Sequence, residues 1–216
     1  MDILNKVDII SPDKDPKPSL KDRKQNLRKA LNNFYPEEDL EHITNTLIFA
    51  VEKNLIENKK IPLKSQIKED ILMTLEKDRV LIPHSTSKTI AWEDRILTFK
   101  PDEKYEIPHV VRHLIMKGSQ TGKFDLDYAL TKYLKEIGLT DPSNILPFLD
   151  KLFNKVDKGK ISADALSNIS RELNLESNMG SIIAFSKGGG VISPSLRNPT
   201  ELKYEVNPFI LKIARL

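Results

Sequence analysis

After three helical stretches that begin at about residue 143, the chain changes hydrophobic period from helical to alternating near residue 190, and this change constrains the fold more than any other feature. Helices are expected at about 106–117, 125–137, 143–154, 162–173 and 178–186. Asp141 with Pro142, and Lys158 with Gly159, mark turns between them. Gly188, Gly189 and Gly190 stop the last of these helices. Val191 and Ile192 then read as a strand, and Leu202, Tyr204 and Val206 alternate as its returning partner. Between them Ser193 to Thr200, with Pro194 and Pro199, forms a loop. Asn207 and Pro208 cap a final apolar segment of Phe209, Ile210, Leu211 and Ile213. The testable core of this reading is antiparallel pairing of Val191 and Ile192 with Tyr204 to Val206.

An internal echo lies upstream. Gly122, Lys123 and Phe124 align with Gly159, Lys160 and Ile161, and Ala129 and Leu130 with Ala165 and Leu166. Such spacing indicates one helix, glycine turn, helix unit used twice. Phe153 to Leu166 resembles an EF-hand loop, with Gly159 at the sharp turn and Ile161 at the central position. Its ligand positions, however, hold Asn154, Val156, Lys158 and Ala165, and the upstream copy offers Lys117, Ser119, Thr121 and Tyr128. Calcium needs clustered oxygens there, so the resemblance implies a degenerate, metal-free pair.

Residues 143–208 resemble the winged-helix superfamily, which also accounts for the third helix and the hairpin. The resemblance implies a first helix at 143–154, a short strand at Lys160 and Ile161, helices at 162–173 and 178–186, and a wing at 190–206. Gly190 to Arg197 (GVISPSLR) with Tyr204 to Pro208 (YEVNP) also resembles an uncharacterised prokaryotic family, a likeness that carries no function.

The N-terminal part is less sharply marked. Residues 1–18 are polar and proline-punctuated, and read as a flexible arm. A helix from Ser19 places Leu27, Ala30, Leu31 and Phe34 on one face and Lys21, Lys24 and Arg28 on another. Residues 14–29 carry seven bases and two acids; residues 37–57 carry six acids and one base. Such opposite neighbours are expected to pair. Leu40, Ile43, Leu47, Val51 and Leu55 define a second helix ending near Asn58, and a third is expected at about 64–77. Val80 to Ile82 reads as a strand, Ser85 to Thr89 as a hairpin tip, and Ile90 to Phe99 as the return. A second module in winged-helix order is compatible with this part. Lys100 to Lys104 reads as a linker, so the chain divides into 1–18, 19–100 and 105–216. The fold class is mainly α.

Cysteine is absent, which excludes disulfides, thiolate metal sites and cysteine nucleophiles. Net charge is only +3, and no apolar run approaches the length of a membrane span. These features lead to the expectation of a cytoplasmic protein without membrane partners. Gly118 to Phe124 lacks the spacing of a phosphate loop, and Phe124 stands where Ser or Thr is needed. His109 and His113 share a helix face, but Val110 replaces the glutamate of a zinc protease. Asp125 and Asp127 sit where acids cap helices. No catalytic residue, metal or cofactor is therefore expected. In a winged helix that binds DNA, the third helix enters the major groove and the wing touches the backbone. The resemblance thus implies contacts to duplex DNA from Asn178, Ser181, Lys187, Arg197 and Lys203, joined by Lys21, Lys24 and Arg28. The alternative is an interaction scaffold whose winged helix docks a protein partner or a second copy.

Overall fold

A computed structural model of the chain describes residues 18–84, 91–139, 142–196 and 201–216. The expected arm over 1–17 and the hairpin tip Ser85 to Thr89 lie outside them. Helix α1 (Leu20–Leu31) opens at a reciprocal cap: the Asp22 amide donates to Ser19 Oγ, and the Ser19 amide to Asp22 Oδ2, each at 3.2 Å. It buries Leu27, Ala30 and Leu31. Helix α2 (Glu37–Val51) follows Pro36 with three acids in its first turn, matched to the positive helix end. The oppositely charged faces of these helices do pair, through Arg28 with Glu37 and Arg23 with Glu52, the latter at 2.8 Å.

Helix α2 stops at Val51, short of the expected Asn58. The reason is non-local: Ile56 and Glu57 form strand β1 (Ile56–Glu57), which pairs with residues almost fifty positions downstream. A 3-10 turn (Asn58–Lys60) leads to α3 (Ser65–Lys77), which buries Ile71, Leu72 and Leu75. Strand β2 (Ile82–Pro83) pairs with β3 (Lys104–Glu106), and β3 lies in the middle of the sheet, with Tyr105 opposite both Ile56 and Pro83. The return strand is therefore not the expected stretch ending at Phe99. Trp92 to Asp94 instead form a 3-10 turn, because the Trp92 amide donates to Ser193 Oγ at 2.9 Å and its ring packs beneath Arg79. Lys100 to Lys104, read as a linker, runs straight into β3.

The second part holds α4 (His109–Thr121), α5 (Leu126–Glu136), α6 (Ile145–Asn154), β4 (Lys160–Ser162), α7 (Ala163–Glu172), α8 (Met179–Gly188), β5 (Ile192–Ser195), β6 (Lys203–Val206) and α9 (Pro208–Ala214). The expected antiparallel pairing is present: Ile192 lies opposite Val206 and Pro194 opposite Tyr204. Strand β4 pairs on the other side of β6, Ile161 opposite Tyr204, giving the order β4-β6-β5. The two echoing glycine turns part company. Gly122 (φ +76°) ends α4 in a left-handed cap. Lys158 and Gly159 (φ +46° and +76°) make a tight reversal in which Asp157 and Lys160 exchange backbone hydrogen bonds of 3.0 and 2.8 Å. In a paired EF-hand these two loops would join strand to strand. Here Ile161 pairs with Tyr204, while Phe124 enters an aromatic cluster with Phe34 and Phe209, so that pair does not form.

The apolar core runs without a break from Leu27 to Ile213. Helix α1 lies along α4, and Phe209 of α9 packs on Phe34 and Tyr35 from the N-terminal part. Asn207, fully buried, joins the parts with its amide: Nδ2 donates to the carbonyls of Arg79 and Gly190, both at 3.1 Å. Among the described residues no helix is long and apolar enough to cross a membrane.

Candidate nucleic-acid interface and an adjoining cationic cleft

The structure disperses the seven described residues of the eight expected to contact DNA. Asn178 closes a 3-10 turn just before α8 and is exposed; Ser181 is exposed on the first turn of α8. These two share the start of one helix. Lys187 lies nine residues beyond Asn178, which turns it about half a revolution away around the axis. It lines a cleft instead. Lys203 pairs with Glu201 at 2.9 Å, and Arg28 with Glu37. Lys21 is exposed and Lys24 half-buried, and neither has an ion pair among the described residues. Arg197 lies outside the described residues.

The cleft that takes Lys187 encloses about 510 Å³ between the β2–β3 edge, the start of α4 and the end of α8. Three cations line it, Arg95, Arg112 and Lys187, with two imidazoles, His84 and His109. Glu106 is the carboxylate among its described lining residues. Arg95 Nη1 donates to Glu106 Oε1 at 2.5 Å, and His84 Nδ1 lies 2.9 Å from Oε2. Burial pushes the Glu106 carboxyl up, but the bonds from Arg95 and His84 outweigh it and hold its pKa below the ordinary range. Among the described residues Arg112 has no carboxylate in contact; it donates to the Val51 carbonyl at 2.5 Å, and burial lowers its pKa against the opposing field of Glu106. The Nε of Arg95 is buried without a hydrogen-bond partner.

The floor of the cleft is set by glycine. The Gly190 amide donates to the Lys187 carbonyl at 3.1 Å and the Val191 amide to that of Ser186 at 2.8 Å, a paired closure that ends α8 with Gly190 at φ +73°. The glycine run is thus the helix stop its composition suggested. It also lets α8 press onto α4: a Cβ on Gly190 would lie 2.3 Å from Pro108 Cβ, and the Val110 amide donates to the Gly189 carbonyl at 3.0 Å.

The sequence model of an uncharacterised protein family matches residues 25–216. The chain belongs to that family. No match to it is found among curated proteins or solved structures.

The two helix histidines of this family member take separate roles. His109 opens at the mouth of the cleft, its ring 5.8 Å from that of Tyr133. His113 is buried, with Nε2 2.8 Å from Glu136 Oε2; burial lowers its pKa, and Glu136 opposes that shift. Among the described residues no three metal-ligating side chains converge. Gly118 to Phe124 is the end of α4 and its cap, with Gly118 pressed against the Phe124 ring. Sequence reasoning missed the cleft because its cations, Arg95, Arg112 and Lys187, come from three separate segments. The only local signal was the glycine run facing Pro108.

Proposed function

We propose that the chain is a non-enzymatic DNA-binding protein whose segment 145–206 is a winged helix. The observation that carries this is the order α6, β4, α7, α8, β5, β6 with β6 between β4 and β5, both antiparallel. That order supports α8 as the groove-entering helix and the β5–β6 ribbon as its wing. Asn178 and Ser181 at the start of α8 supply polar contacts, and Lys21 and Lys24 supply phosphate contacts. With these two cations, unpaired among the described residues, log K falls with log salt at a slope of about −2. Fluorescence anisotropy of a labelled duplex across a salt series tests this. The double variant Lys21→Ala, Lys24→Ala is expected to flatten the slope. Absence of any binding at low salt sinks the proposal.

A second reading is favoured by one specific observation. The outward face of α8 is uncharged, with Ser181 and Ala184, and the ends of the hairpin expose Leu196 and Leu202 to 57% and 54%. Such a surface supports docking of a second copy of this chain rather than a polyanion. Light scattering decides: a dimer that Leu202→Glu disrupts, in a protein that ignores DNA, selects this reading.

A further inference from the structure

We propose that the cleft between β2–β3, α4 and α8 binds a small organic phosphomonoester as its dianion. The charges come first. Among the described lining residues three cations face one carboxylate, so, imidazoles aside, they carry two positive charges in excess. Glu106 is already committed to Arg95 and His84. Among the described residues no carboxylate hydrogen-bonds Arg112 or Lys187, although the field of Glu106 reaches Arg112.

The backbone adds to this field. Helix α4 starts at the cleft with Pro108 as its cap residue, with no side-chain cap and no acid in its first turn. Its positive end therefore adds to the cationic lining, in part satisfied by the Gly189 carbonyl at the end of α8, which accepts from the Val110 amide. A dianion matches the two open charges; a monocarboxylate leaves one unmatched. Arg112 offers the planar donor fork suited to phosphate oxygens, and Lys187 a point charge beside it.

Shape and polarity extend the assignment. The volume, about 510 Å³, falls within the range of small-molecule sites. Ile82, Leu55 and Pro108 give the cleft an apolar side, so the ligand has an apolar or planar body behind its phosphate. None of the residues proposed to touch a duplex, Lys21, Lys24, Asn178 and Ser181, lines this cleft.

The test is calorimetric titration of the whole chain with phenyl phosphate, inorganic phosphate and benzoate. Saturable binding is expected for phenyl phosphate, weaker binding for inorganic phosphate, and none for benzoate up to about 10 mM. Lys187→Gln, at a half-buried helix end, is expected to weaken phenyl phosphate about tenfold, as loss of one charge-assisted bond does, with unchanged thermal melting. Arg112→Gln is the second variant and is expected to abolish binding. A 5′-phosphorylated oligonucleotide separates a free small molecule from a nucleic-acid end; binding of either that Lys187→Gln weakens supports the dianion site. The double variant Lys21→Ala, Lys24→Ala leaves this binding intact while weakening any duplex contact. No saturable heat with phenyl phosphate, benzoate binding as tight, or an unchanged affinity in Lys187→Gln overturns the proposal.

Discussion

The two sheets place their last strand in the middle, β1-β3-β2 and β4-β6-β5, yet they are held by different means. In the second, strands of three and four residues pair over Lys160 to Ser162 and Ile192 to Ser195. In the first, β1 and β2 have two residues each. So short a ladder needs side chains to fix it. Asn58 Nδ2 donates to the carbonyls of Phe99 and Lys100 at 2.7 and 3.1 Å, and the Tyr105 hydroxyl donates to Thr98 at 2.6 Å. The outward helices differ too: α3 exposes Glu69, Asp70 and Lys77, whereas α8 exposes Ser181 and Ala184. Equal strand order thus carries one charged and one uncharged outward helix face.

The most severe break in this comparison is Phe209→Ala. Its ring is fully buried and touches Phe34, Tyr35 and Phe124, so it ties the two parts together. A loss of about 3–5 kcal/mol is expected in urea unfolding. The unbroken core also predicts one transition for the native chain; two separate transitions would show that each sheet folds on its own.

A smaller effect contrasts two glycines in the second part. Gly190→Ala meets both a left-handed backbone and Pro108, and is expected to cost about 2–4 kcal/mol. Gly159→Ala meets the same kind of backbone with nothing within 4 Å, and is expected to cost about 1–2 kcal/mol. Thermal melts of the pair check whether close approach to α4, rather than backbone conformation alone, requires glycine.

The smallest effect lies outside both sheets, at His113. Its folded pKa is lowered by burial, so the unfolded chain takes up the proton first as pH falls. Stability present above about pH 6.5 is then lost as pH drops below it. His113→Gln is expected to flatten the stability profile between roughly pH 6.5 and 5, above the range where carboxylates titrate. A profile in that window identical to that of the native chain would show that His113 does not govern it.

Much of the second part was legible because its signals are local. The apolar spacing placed α6, α7 and α8 within two residues of where they lie. Alternation at Leu202, Tyr204 and Val206 marked β6. The first part resisted for the opposite reason. A three-residue strand such as β3 has no period to read, and its pairing with Ile56 and Pro83 depends on contacts distant in the chain. Helix α4 starts at His109 rather than 106 because Tyr105 and Glu106 are taken into that strand.

The same division applies to the candidate sites. Sequence alone marked the bases of α1, and pairing by opposite charge then claimed Arg28. It marked Lys187 as a cation near a helix end, but not the direction it faces. Sequence by itself determined the helical character, the glycine stops and the second hairpin, because each follows from neighbours within a few residues. Tertiary structure alone decided the central strand of the first sheet and the gathering of Arg95, Arg112 and Lys187 around one cleft. Those depend on packing between segments many residues apart, and no local periodicity encodes that.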